Sequence, residues 1–198
     1  GPTLRLHEQA LEVLPQDALV PELVSIQAPG NRLARFPELH HLTSLTDLNL
    51  ADNDIAEIEP SALSSVSAQL MALTLTGNCL ACVPAEMGKL KKLELLSLAG
   101  NSLKLLPVQL GECTALRSLT LSENALVELP PTIGQLQCLR TLKLDHNETL
   151  TALPEELCKL SCLSALSVAA CSLTWLPQGL GGLTLLSTLQ AKDNRLTS

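Results

Sequence analysis

The sequence predicts an α/β solenoid, in which short coils of chain stack side by side, with a parallel sheet inside and short helical or 3₁₀ segments outside. Three observations predict it. The stretch Leu93 to Pro107 reads LxxLxLxxNxLxxLP, which keeps a period of two only between Leu96 and Leu98 and so fits neither a continuous helix nor a long strand. The same spacing recurs along nearly the whole chain. Aromatics are almost absent: 198 residues, 46% of them hydrophobic and mostly leucine, hold one Phe, one Trp and no Tyr. Narrow layers filled by one residue type produce that bias, whereas a globular core normally uses bulky rings.

Aligned on the asparagine, the frame falls at Asn31, Asn53, Asn78, Asn101, Asn124, Asn147 and Asn194, with Cys171 in the slot before the last. Successive spacings are 22, 25, 23, 23, 23, 24 and 23 residues. Upstream, Leu4, Leu6, Leu11, Leu14 and Pro15 keep the same frame around Gln9. A fixed period of this size is the mark of a leucine-rich-repeat horseshoe. Residues 3–198 are expected to form a single domain of about eight repeats, partial at both ends, with Gly1-Pro2 left outside the frame.

Within each repeat the chemistry assigns three parts. Triplets such as Ser97 to Ala99, Thr120 to Ser122 and Lys143 to Asp145 are expected as short parallel strands on the concave side, their leucine neighbours pointing inward. Each asparagine then turns the chain. Its amide both donates and accepts, so it can bond buried loop backbone in its own and the adjacent repeat, which builds a ladder. The LPxxxGxL segment returns along the convex side, proline fixing φ at the start of a helical or 3₁₀ turn. Two repeats are irregular. The one after Asn53 is the longest, and its Ser/Ala-rich return, Pro60 to Leu70, can form a proper helix. The one after Asn147 carries one extra residue, which puts Leu150 one place late. Both read as tolerated insertions. Ala28 and Ala191 stand where an inward leucine is usual, which suggests looser packing toward both ends.

The formal charge of -7, from 13 basic and 20 acidic residues, argues against a nucleic-acid partner, and no apolar stretch approaches the length of a membrane span. Cys79 and Cys82 form a C-x-x-C, but no second pair at zinc spacing accompanies them, so they read as two reduced loop thiols. Cys138 and Cys162 occupy equivalent slots in adjacent repeats, at a spacing that permits a bridge. The seven cysteines are nevertheless scattered through the interior without cap clusters, and are expected to be free and cytoplasmic. His40-His41 reads as a solvated pair, and Trp175, just before Leu176-Pro177, as a packing residue. No nucleophile elbow, phosphate cradle or metal set emerges, so neither an enzyme nor a cofactor is expected.

Binding in a solenoid uses the outward residues of the strands, where successive repeats build one continuous surface. On that face the charged cluster lies in the later repeats: Arg117, Arg140, Lys143 and His146, with Thr120 and Thr141 between them and Lys192 further along. Arg117 and Arg140 share a slot in adjacent repeats, and with Lys143 three cations are expected to converge, partly offset by Glu123 and Asp145. The remainder suits a protein or peptide partner that is acidic or phosphorylated.

The repeats Leu93 to Pro107, Leu116 to Pro130 and Leu139 to Pro154, with the return Leu129-Pro130-Pro131-Thr132-Ile133-Gly134-Gln135-Leu136, resemble the 23-residue intracellular class of leucine-rich repeats. That class is found in plant Ras-group-related repeat proteins, Ras-pathway scaffolds and Scribble/Erbin-type scaffolds. The resemblance implies a cytoplasmic protein–protein interaction module in signal transduction. The alternative it leaves open is a regulatory or substrate-recruiting segment of a larger signalling enzyme, a kinase, GTPase or ubiquitin ligase.

Overall fold

A computed structural model describes residues 1–66 and 69–197. Among these residues nine short strands form one parallel sheet in sequence order: β1 Thr3–Arg5, β2 Ser25–Gln27, β3 Asp47–Asn49, β4 Ala72–Thr74, β5 Leu95–Ser97, β6 Ser118–Thr120, β7 Thr141–Lys143, β8 Ala165–Ser167 and β9 Thr188–Gln190. The register keeps the first strand leucines in line, Leu73 to Leu96 to Leu119 to Leu142 to Leu166. This is the leucine-rich-repeat horseshoe, an open parallel sheet backed by short helical turns.

The strands begin two residues earlier than the triplets expected from sequence. Pairing continues through the second leucine, whose N–H still donates to the next repeat (Leu98 to Thr120 O, 2.8 Å), and then the chain turns. The turn has a fixed cause. The residue immediately before each asparagine slot has positive φ: Glu8, Gly30, Asp52, Gly77, Gly100, Glu123, His146, Ala170 and Asp193, between 52° and 68°. A left-handed residue there swings the chain out of the sheet, and glycine fits without a Cβ penalty.

The convex side is built mostly from 3₁₀ turns, among them Ala85–Lys89, Val108–Glu112, Pro131–Gln135, Glu155–Lys159 and Gln178–Gly182, each directly after a proline. They stack closely. A Cβ added at Gly88 would stand 2.5 Å from the Gln109 carbonyl oxygen of the next turn, so glycine is required there. The long repeat supplies α1, Pro60–Val66, the one α-helix among the described residues; residues 67–68 of the expected helical stretch, and residue 198, lie outside the described residues.

The core is a single run of leucines from Leu6 to Leu183, most of them fully buried. Ala28 is also fully buried, so packing near the first repeats is not loose. At the other end Leu189 is 43% and Leu196 42% exposed, and Ala191 is half-buried. His41 is not solvated as expected. It is half-buried, and its Nε2 lies 2.9 Å from the Leu19 carbonyl oxygen of the preceding repeat, with His40 edge-on to its ring.

Candidate functional site

Behind the sheet, each asparagine joins two repeats. The Asn101 amide donates to Leu75 O (2.9 Å), Leu98 O (3.0 Å) and Ala99 O (3.2 Å), and its Oδ1 accepts from Leu80 N at 3.0 Å. Asn53, Asn78, Asn124, Asn147 and Asn194 repeat the arrangement. Asn31 instead accepts from both Gln9 N and Leu11 N, because Gln9 is exposed and carries no rung of its own.

Cys171 departs from the ladder, and the extra residue before it explains how. In a regular repeat the leucine two places after the asparagine donates to the next asparagine Oδ1, as Leu103 does to Asn124. Here that leucine is Leu150, whose N–H turns back to Asn147 O at 3.0 Å, while the Thr149 hydroxyl donates to Leu126 O at 2.8 Å. No side-chain acceptor is then needed in the next slot. A thiol suffices, and Cys171 Sγ donates to Leu144 O at 3.3 Å.

The concave face divides into three zones. On β2 and β3 polar side chains satisfy one another: Asp47 accepts from Ser25 Oγ (3.0 Å) and Gln27 Nε2 (2.8 Å), and Gln27 Oε1 accepts from Asn49 Nδ2 (3.0 Å). Around β4 and β5 the face carries exposed apolar side chains, Met71 41% and Leu95 39%, beside Thr76 and Ser97, whose hydroxyls bond each other at 2.7 Å; the Leu95 N–H donates to Met71 O, which makes them neighbours. From β6 onward it is charged. Arg117, Arg140, Lys143, His146 and Lys192 are all exposed, while Thr120 and Thr141 are half-buried in the strands.

Two details correct the sequence reading of that zone. Arg117 does not add to a three-cation cluster, because its Nε lies 3.3 Å from Glu94 Oε2 of the preceding repeat. Asp145 does not neutralise a cation either. It accepts from the Ser167 hydroxyl, from Ala169 N at 2.9 Å and from Ser122 Oγ at 3.4 Å. Arg140 and Lys143 therefore remain without a carboxylate partner among the described residues. Beside Lys143, the small side chains of Ala165 and Ser167 leave a shallow depression of about 170 Å³, closed on its far side by Gln190. A larger depression, about 690 Å³, lies off this face, between the first two descending segments around Leu14, Leu33 and Phe36.

Sequence reasoning missed Met71, Glu94 and Trp175. Met71 and Glu94 lie just upstream of the strands, outside the two outward columns that periodicity picks out. Trp175, expected as packing, is 56% exposed. The seven cysteines are all free. Burial pushes the Cys113 thiol up from the ordinary 9.0 to about 11, and burial likewise raises Cys158 and Cys171, so these three are poorer nucleophiles than exposed thiols. Among the described residues no group of three or more His, Cys, Asp or Glu side chains could hold a metal ion, and no helix is long and apolar enough to cross a membrane.

Residues 43–103 match the family described as Leucine rich repeat, and residues 108–197 match that described as Leucine-rich repeat region. The chain is a leucine-rich-repeat protein. A search of curated proteins finds no match. Among solved structures, this leucine-rich-repeat chain is similar to a leucine-rich-repeat protein of Leptospira interrogans (TM-score 0.87, 26% identity, 98% of this chain and 55% of that one). It is also similar to the leucine-rich-repeat ectodomain of the Arabidopsis thaliana membrane receptor kinase GASSHO1/SCHENGEN3, solved in complex with Casparian strip integrity factor 2 (0.82, 30%, 98% and 24%). Toll of Drosophila, solved with Spatzle, shares the fold (0.86, 23%, 98% and 27%). The chain thus spans about half of the first of these proteins and about a quarter of the other two.

Proposed function

We propose that this chain is a protein–protein interaction module that holds an acidic or phosphorylated protein segment on its concave face and performs no chemistry of its own. The observation that carries the reading is the pairing of unlike surfaces there. Exposed Met71 and Leu95 offer an apolar anchor, and Arg140 and Lys143, two and three strands on, offer charge that no carboxylate of the described residues takes up. An arginine can grip a carboxylate or phosphate through paired hydrogen bonds, and buried apolar anchors carry much of the energy of such contacts. The early strands, whose polar groups already bond one another, have less to offer. The receptor kinase ectodomain solved in complex with Casparian strip integrity factor 2 supports binding of a partner as such. The 23-residue spacing of four of the seven intervals supports the scaffold-type repeat class, and the resemblance to that class implies a cytoplasmic setting and a part in signal transduction.

A regulatory or recruiting segment of a larger enzyme is the second reading. It is favoured by the short share of each neighbour that the chain spans, one of them being a receptor kinase.

The test is a pull-down with mass spectrometry to recover a partner, followed by affinity measurement on two double variants. Arg140→Glu with Lys143→Glu should weaken binding by at least tenfold and flatten its salt dependence. Met71→Ala with Leu95→Ala should weaken it with the salt dependence unchanged. Affinity that ignores both double variants would place the site elsewhere.

A further inference from the structure

The descending flank, between each asparagine slot and the following proline, carries a feature that neither the array nor the concave site uses. Trp175 is 56% exposed, Leu105 55% and Val127 50%, and Val108, the first residue past Pro107, is 53% exposed. Leu105, Glu128, Ala152 and Trp175 occupy one slot in four consecutive repeats, two residues before the proline. A slot that accepts leucine, glutamate and alanine is not one where packing demands an indole. Tryptophan is among the residues most enriched at binding hot spots, and this is the only one in the chain.

We propose that this flank is a second docking surface, and that it takes a segment of a protein partner bearing Lys or Arg beside apolar anchors. Charge selects the partner. Glu155 Oε1 accepts from Gln178 N at 3.4 Å, which holds its carboxylate against the repeat of Trp175. Glu128 shares the slot of Trp175 two repeats earlier and has no ion pair among the described residues. Ala152, the residue of the same slot in the repeat between them, is small. Exposed apolar side chains bordered by carboxylates, with an aromatic face that attracts cations, suit a basic, apolar-anchored segment. Lys104 and Arg195 bound the surface at its two ends. The concave face of the same repeats carries Arg140 and Lys143 and repels such a segment, so the two surfaces select partners of opposite charge.

With one Trp and no Tyr, intrinsic fluorescence reports on this surface alone. The probes are three short synthetic peptides: alternating Arg and Leu, alternating Glu and Leu, and Lys without apolar residues. The Arg-Leu peptide should give a saturable blue shift of the Trp175 emission, with affinity at least tenfold above that of the other two. Glu128→Lys with Glu155→Lys, checked for fold by circular dichroism, should lower that affinity at least tenfold. Trp175→Ala, followed with a dye on the peptide, should do the same, and Arg140→Glu with Lys143→Glu should leave it intact. No shift, equal binding of the Glu-Leu or Lys peptide, or binding that survives the charge reversal or the loss of Trp175 would overturn the proposal. Loss of binding in the Arg140/Lys143 variant would also overturn it, by moving the peptide to the concave face.

Discussion

Asn101 shows what one side chain does in this fold. Replacing it with Ala leaves Leu80 N without its acceptor and takes one of two donors from the carbonyls of Leu75, Leu98 and Ala99, which keep Asn78 Nδ2, Asn124 Nδ2 and Gly77 N. Each group left buried and unpaired costs about 1–3 kcal/mol. Cys171→Ala removes only weak thiol contacts, to Leu144 O and Ala169 O, because Leu150 N already bonds Asn147 O, so its melting shift should be clearly smaller. Equal shifts would refute the ladder argument. The pairing of insertion and cysteine makes a sharper prediction. Deleting Thr149 restores the regular spacing and should leave Leu150 N seeking an asparagine, so Cys171→Asn should rescue stability in the deletion but not in the parent chain. The asparagine frame was legible in the sequence because its period is fixed. The link between Leu150 and Cys171 was not, because it depends on which way one backbone N–H turns. Cys113 supplies a prediction in pH. Its thiol is raised from 9.0 to about 11 by burial, and its Sγ donates to Met87 O at 3.2 Å. Below pH about 9 the thiol is neutral in both states and its contribution is fully present; above that the unfolded chain loses the proton first, so stability falls between about pH 9 and 11. Urea midpoints across that window should decline more steeply in the parent than in Cys113→Val, and parallel curves would contradict the assignment.

Among the elements, the two ends of the sheet differ although the sequence treats them alike. At the first repeat Leu6 and Leu14 are buried, and Asn31 holds the backbone of Gln9 and Leu11. At the last, β9 is exposed throughout, and Leu189 and Leu196 have a neighbouring layer on one side only. In a stack bound by nearest-neighbour contacts, such a layer opens at low cost. Amide exchange should therefore be fastest at Leu189 to Leu196, intermediate at Leu4 to Leu11 and slowest at Leu96 and Leu119. Equal protection of the three groups would mean that the terminal layer is held by something other than the described packing. Strand placement was misjudged by two residues for a local reason. The left-handed residue before each asparagine ends the strand, and only glycine or aspartate, as at Gly77, Gly100 and Asp52, hints at it in sequence. Where Glu123, His146 or Ala170 fills that corner, no residue type announces it.

Across the whole molecule, the leucine frame shapes the surface while the residues between the leucines decide what it binds. The horseshoe was readable because its layers repeat; the site was readable only in part. Arg140 and Lys143 are exposed on this face as read, but the expected partial offset by Glu123 and Asp145 forms no ion pair with them, and Glu94 claims Arg117 from one repeat away, a contact that no local pattern reports. Met71 and Leu95 emerge as an apolar anchor only once neighbouring strands lie side by side. The most direct test of concave docking is hydroxyl-radical footprinting of the chain, free and bound to the partner recovered by pull-down. Met71 just before β4, Leu95 on β5, and His146 at the edge of the same face should become protected on binding, while Val13, exposed on the flank of the first repeat, keeps its rate. If Met71, Leu95 and His146 oxidise equally fast with and without the partner, the concave face is not where it binds.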